Sequence, residues 1–426
     1  MKFVHCGRNE YIKNNKTKNI ILWGASKQLY EAVQEFSTLE FNLEDRVIAV
    51  IDADEKKHGS VCKVAHKEFI IQGVDYLLHN KLENCSILIT SRFYLDIIKQ
   101  LREIKLEISI EVYAYPCIIL DYEESYEDKY ASRITNQAIS EYEEYLTSRR
   151  DLNSKEKNNL RKRLKGYLDG EDGIRPNIIP SIVLMHSNIC SLKCSNCCDL
   201  IPKVKKPYYL SAEEVLKDLN NVLKGVDKCI RVDLTDGEVF LYRELDTLLE
   251  NIINHPKVET VFMFTNATIM PKESTLKLLQ NKKCFLNISD YGLEDTMRKF
   301  IDVLEEYSIN HNVLQDMEWM DFKLDSIKKR DEEFELLRYD FLRCGNKKCS
   351  KALFKGKLYA CMPAFRYASL GIYENDNDYV TISENDSSQE VWEKLKGICM
   401  IDFIKTCERC NFGNTGLDII SAGDRR

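Results

Sequence analysis

The sequence predicts an α/β protein of several domains, and three observations carry that expectation. Short apolar runs alternate with helix-period stretches along much of the chain. Its 426 residues exceed what one ordinary core organises, which favours two or three domains. Its 16 cysteines gather at ligand-like spacings. A hydrophobic content of 44% suits a globular interior. The opening MKFVHCGRNEYIKNNK has neither an apolar h-region nor a small-residue cleavage site, and no uncharged run of about eighteen apolar residues follows. No export signal, no membrane partner and a cytoplasmic location are therefore expected, and in that setting clustered cysteines read as metal or cluster ligands rather than disulfides. A formal charge of −7 offers no long-range attraction for nucleic acid, and none is expected as a partner.

The first elements are a buried strand over 19–24 (NIILWG), a tight turn at Gly24-Ala25-Ser26, and a helix whose apolar face runs through Leu29, Ala32, Val33 and Phe36. Further strands are expected over Arg46–Asp52, Ser86–Thr90 and 108–116, with a helix to about Arg102. Strand alternating with helix predicts a parallel, doubly wound domain over residues 1–118. It resembles the small Rossmann-like domains beside sugar-modifying and polysaccharide-biosynthesis enzymes. A strand-to-helix turn can present N–H groups to a phosphate. However, Gly24 stands alone where G-x-G-x-x-G would need three glycines, so a structural turn is the preferred reading. Asp52 and Asp54 then read as solvated strand-end carboxylates. Residues 119–177, rich in Glu, Lys, Arg and Tyr, predict a helical connector with a solvated face.

After a strand at Ser181–Met185 comes HSNICSLKCSNCC, placing Cys190, Cys194 and Cys197 at C-x3-C-x2-C on one loop. Three thiolates can hold three irons of a cubane and leave the fourth open to a chelating ligand. Zinc is the alternative and would want a fourth ligand such as Cys198 or His186; Cys198 is expected to pack. Spacing and position resemble the motif of the radical S-adenosylmethionine (SAM) superfamily over residues 178–340. The resemblance implies a partial (β/α)6 barrel, a [4Fe–4S] cluster with an open iron that binds SAM, and a reducing partner such as flavodoxin or ferredoxin.

Three later segments follow the family's order. RVDLTDGEVFL (231–241) resembles its G-G-E-P loop, with Asp236 in place of the first glycine and Val239 of the proline; the resemblance assigns Gly237 and Glu238 to the SAM amino group. VETVFMFTNAT (258–268) resembles the strand ending in T-N-G, putting Asn266 at the tip and Ala267 where glycine stands. CFLNISDYG (284–292) resembles the I-S-D-Y-G strand end of a sugar- and aminocyclitol-modifying branch. Ser289 is thereby a candidate SAM contact and Asp290 and Tyr291 candidate substrate contacts, a capped D-Y-G turn being the equal alternative. Trp319 is a candidate for the cavity wall, with simple packing the plainer reading.

The second constellation is Cys344, Cys349, Cys361, Cys407 and Cys410, with GKLYAC (356–361) reading as a hairpin that presents Cys361. Residues 341–426 resemble a twitch or SPASM extension with too few thiols for two clusters. One auxiliary [4Fe–4S] cluster on Cys344, Cys361, Cys407 and Cys410 is expected, Cys349 being in reserve and zinc the alternative. The catalytic residue proper, and any proton acceptor, cannot be named from the sequence. Cys6, Cys62, Cys85, Cys117, Cys229, Cys284 and Cys399 read as small core hydrophobes.

The resemblance implies hydrogen abstraction from, and oxidation of, a sugar, aminocyclitol or nucleotide-linked sugar. A peptide substrate that receives a thioether or carbon–carbon link is the second reading. A non-catalytic iron–sulfur or zinc protein is the third.

Overall fold

The computed structural model describes residues 2–4, 6, 8–91, 93–104, 109–115, 126–170, 176–314, 318–322, 327–332, 334–345, 351–412 and 419–421. Cys117 and Cys349 lie outside the described residues. The chain forms two compact units, the first on residues 1–125 with Glu332–Tyr339, the second on Tyr126–Asp331 and the described residues from Asp340 onward.

In the first unit β1 (Lys2–Phe3), α1 (Arg8–Asn15), β2 (Asn19–Trp23), α2 (Lys27–Thr38), β3 (Val47–Ile51), β4 (Val61–Val64), β5 (Lys67–Gln72), α3 (Tyr76–His79), β6 (Cys85–Ile89), α4 (Tyr94–Glu103) and β7 (Glu111–Ala114) follow in order. They build a seven-stranded sheet of order β1-β7-β6-β2-β3-β5-β4, in which only the β4–β5 pairing is antiparallel. Strand periodicity explains the two cores: Ile21, Trp23 and Ile87 face one, and Ile20, Leu22 and Leu88 the other. The expected strands are present with ends shifted by a residue or more. The β4–β5 hairpin is an addition that weak alternation in VCKVAHKEFIIQ did not announce.

The second unit begins with α5 (Tyr126–Ser148) and α6 (Ser154–Asp169). Strand–helix repeats follow: β8 (Ile178–Leu184), α7 (Ala212–Leu223), β9 (Lys228–Leu234), α8 (Leu245–Asn254), β10 (Val258–Thr265), α9 (Glu273–Leu279), β11 (Cys284–Ser289), α10 (Glu294–Glu306) and β12 (His311–Leu314). The C-terminal portion holds β13 (Glu318–Met320), α11 (Phe334–Arg343), β14 (Ala352–Phe354), β15 (Lys357–Tyr359), α12 (Met362–Ser369), β16 (Tyr379–Thr381), α13 (Ser388–Met400) and β17 (Ile419–Ser421). The main sheet runs β12-β11-β10-β9-β8-β14-β15-β16. Its six parallel strands include β14, which lies beside β8 instead of following β12, so the C-terminal residues extend the sheet from its first strand. A separate ribbon pairs β13 with β17.

The charged stretch expected to be a solvated connector has a buried face. Ile134, Ala138, Tyr142, Tyr145 and Leu146 recur at helical spacing and join the main core. Arg231 of β9 reaches Glu141 at 3.0 Å, Glu144 at 2.6 Å and Asp233 at 2.5 Å, tying α5 to the sheet. No helix among the described residues is long and apolar enough to cross a membrane.

Candidate active site

The first cysteine loop leaves β8, a strand buried at every position. Turn bonds shape it: Cys197 N–H donates to Cys194 O and Leu200 N–H to Cys197 O. Asn188 Oδ1 accepts from Tyr208 N–H at 2.8 Å. Burial pushes the Cys190 thiol up to about 11, with Glu238, Cys194 and Asp199 adding to the effect. It pushes Cys197 up to about 12, with Asp199 and Cys190 adding to that. Such thiols become thiolates when a metal supplies the missing positive charge, and that donor set suits iron. Among the described residues no three His, Cys, Asp or Glu side chains stand in a metal-holding arrangement as placed. Cys198 departs from expectation in being exposed.

Gly237 and Glu238 lie directly on this loop. Gly237 has φ +70°, and a Cβ there would be driven into the Ile189 carbonyl. Glu238 N–H donates to that carbonyl at 2.9 Å. The Glu238 carboxylate is buried and accepts from Thr265 Oγ1 at 2.7 Å, Asn266 N–H at 2.8 Å and Phe240 N–H at 3.2 Å. Most of its acceptor capacity therefore holds the β10 tip. Asn266 in turn donates from Nδ2 to Cys190 Sγ at 3.6 Å and to Ser191 Oγ at 3.2 Å. Ala267 adopts φ +57°, the backbone region that explains a glycine in the family pattern.

At the end of β11, burial raises the Tyr291 hydroxyl well above its ordinary value, the neighbouring Cys194 adds to that rise, and a side-chain hydrogen bond with Ser289 opposes it. Trp319 meets the Tyr291 ring edge-on at 5.9 Å. Asp290 behaves differently. Its Oδ1 accepts from Gly292 N–H at 2.8 Å, closing the turn.

A buried ionic group beside the cysteine loop had escaped the sequence reading. Asp236, at φ +104° and 1% exposed, pairs with Arg366 of α12 and accepts from the Tyr208 hydroxyl. Arg366, 1% exposed, also reaches Asp199 at 3.4 Å. Desolvation raises the Asp236 carboxyl to about 7, while Arg366 opposes that shift. The available signal was an arginine inside the apolar run CMPAFRYA, together with an aspartate at a position that calls for glycine.

Cys344, Cys361, Cys407 and Cys410 line one cavity with Arg330 and Asp340, of about 20 Å³. Burial raises Cys361 and Cys407 well above a free thiol and Cys410 to about 12, with the other thiols of the set contributing. Asp378 holds the Cys407 loop by accepting from Lys405 N–H at 2.8 Å, Thr406 N–H at 2.9 Å and Thr406 Oγ1 at 2.6 Å. Arg330 donates to Cys410 O at 2.9 Å. Four thiolates suit both a cubane and tetrahedral zinc.

In the first unit, residues including Gly24, Asp52, Lys57 and Ser91 line a cavity of about 700 Å³. Asp52 is 8% exposed instead of solvated. It accepts from Ala25 N–H at 2.9 Å and Lys57 Nζ at 2.8 Å, using the donors that a phosphate would need.

No protein-family model matches the chain, and no curated protein matches it. Among solved structures it is similar to Streptococcus suis SuiB bound to precursor peptide SuiA, at 22% identity over 38% of each chain with a TM-score of 0.28. It is similar to anSMEcpe with bound AdoMet, at 17% identity over 51% of this chain and 81% of that one, TM-score 0.34. Likeness to BtrN in complex with AdoMet and 2-DOIA is 15% identity over 54% and 92%, TM-score 0.37. The chain thus spans 38% of the length of SuiB.

Proposed function

We propose that the chain is a radical SAM enzyme that oxidises a sugar, aminocyclitol or nucleotide-linked sugar. The observation that carries the proposal is the packing of the C-x3-C-x2-C loop against Gly237, Glu238 and Asn266 at neighbouring strand ends. A [4Fe–4S] cluster held by Cys190, Cys194 and Cys197, with SAM on its open iron, would supply a radical able to take hydrogen from an unactivated C–H bond. The chain's own residues bind and orient. Glu238 holds the β10 tip, Asn266 donates toward Cys190, and Ser289 anchors the Tyr291 hydroxyl facing the cysteine loop. Tyr291 and Trp319 offer an aromatic corner for a ring-bearing substrate.

The second thiol set would take an auxiliary cluster able to accept an electron from the substrate, which makes the net change a dehydrogenation. Flavodoxin or ferredoxin is the reducing partner in this reading. Zinc is the alternative occupant of the second set. A peptide substrate ranks second, because the first unit is a doubly wound sheet and not a winged helix.

The test is anaerobic iron, sulfide and zinc analysis with electron paramagnetic resonance and a 5′-deoxyadenosine assay, on wild type and the Cys190/Cys194/Cys197→Ala variant. About eight irons falling to about four, with SAM cleavage in wild type alone, is the expected result. About four irons with zinc would remove the auxiliary cluster. Iron without SAM cleavage would sink the enzyme reading.

A further inference from the structure

We propose that Arg366 is a positioning residue through which the C-terminal thiol site sets the geometry of the first cysteine loop. The inference deepens the reading above and rests on it for the role of the loop. Helix α12 has Cys361 as its N-cap, so one end is attached to the second thiol set. Arg366 lies little more than one turn further on and pairs with Asp236, while the adjacent Tyr367 hydroxyl donates to Cys410 Sγ. From Asp236 the chain passes at once to Gly237 and Glu238, which rest on the Ile189 carbonyl, next to Cys190. A continuous series of contacts thus joins the two thiol sets.

The conformation of Asp236 says why a latch is needed. A non-glycine residue at φ +104° is strained, and a carboxylate 1% exposed requires a partner. Arg366 and Tyr208 provide that partner and hold the strained turn against the loop. Where the related motif has glycine, the turn is at ease without help. Here the turn depends on a charge delivered by α12, and therefore on how Cys361 is held. Among the described residues Arg366 Nε and Nη1 have no hydrogen-bond partner although the side chain is fully buried, and its guanidinium is held by Asp236 and Asp199 with the Phe365 ring 5.0 Å away.

The experiment is amide hydrogen exchange at Glu238, whose N–H donates to Ile189 O, on the full-length metal-free protein. It is paired with equilibrium SAM binding to the iron-loaded protein. Arg366→Met should speed exchange at Glu238 at least tenfold, Arg366→Lys less, and the double variant Asp236→Gly/Arg366→Met should return it to near the wild-type rate. Cys407→Ala/Cys410→Ala should weaken SAM binding about tenfold in the wild-type background and less than twofold in the Asp236→Gly/Arg366→Met background. Wild-type exchange in Arg366→Met, or a double variant as fast as the single, overturns the latch. An equal effect of the cysteine changes in both backgrounds overturns the coupling. SAM binding absent from every iron-loaded form would defeat the enzyme reading instead, and exchange alone would then decide the latch.

Discussion

Gly237 shows how one residue type serves the site. Its φ of +70° and its contact with the Ile189 carbonyl leave no room for a side chain. Gly237→Ala should cost about 1–3 kcal/mol of stability for the backbone conformation alone. It should also separate the Glu238 turn from the cysteine loop, read as at least a tenfold loss of SAM affinity by equilibrium dialysis. His186 carries a second prediction. Its Nδ1 bonds Leu184 O at 3.0 Å, its ring packs on Tyr242, and burial lowers its pKa from 6.5 to about 4. The unfolded chain takes up this proton near pH 6.5 and the folded chain only near pH 4, so the folded state loses ground as pH falls between those values. The loss amounts to about 3 kcal/mol at most. Urea titrations at about pH 7 and about pH 4.5 should show the slope in wild type and a smaller one in His186→Gln. Equal slopes would remove His186 from the account. At this scale the thiol spacing of Cys190, Cys194 and Cys197 was legible in the sequence, and the resemblance pointed to Gly237 and Asn266, which the structure brings against that loop. Arg366 was not, because its partner lies 130 residues away.

At the scale of elements, amphipathic helices dock on parallel strands, and caps mark where they begin. Ser211 and Glu214 form a capping box at α7, as Ser387 and Glu390 do at α13. The docking of α5 combines its buried apolar face with a charge network. Arg231 is buried against Glu141 and Asp233, with its guanidinium 4.0 Å above the Phe262 ring. Arg231→Met should destabilise the second unit by about 3–5 kcal/mol, since it strands buried carboxylates. The triple change that also makes Glu141 and Asp233 neutral should recover most of that loss, measured by chemical denaturation. Failure of the recovery would locate the effect in packing against Phe262. The alternation of charged and aromatic residues in this stretch read as a solvated helix because sequence shows charge without showing what neutralises it.

The whole molecule keeps separate cores. Ile21 and Leu22 lie in the two cores of the first unit, and Ile182, Val232 and Phe262 in that of the second. Calorimetry should therefore resolve two unfolding transitions. Removing metal with a chelator should lower one of them, belonging to the unit with both thiol sets, while the other keeps its midpoint. A single transition that moves as one would contradict independent cores.

What the sequence by itself determined is local: the strand–helix alternation, the apolar runs NIILWG and SIVLM, and the thiol spacing on a loop after a strand. These follow from periodicity and from chemistry within a few residues of one another. Tertiary structure alone decided that β14 adds to the sheet beside β8, that Asp52 binds its own turn, and that Arg366 of α12 meets Asp236. Each of these depends on which distant group fills a hydrogen bond or neutralises a buried charge, a choice made by packing once the chain has folded.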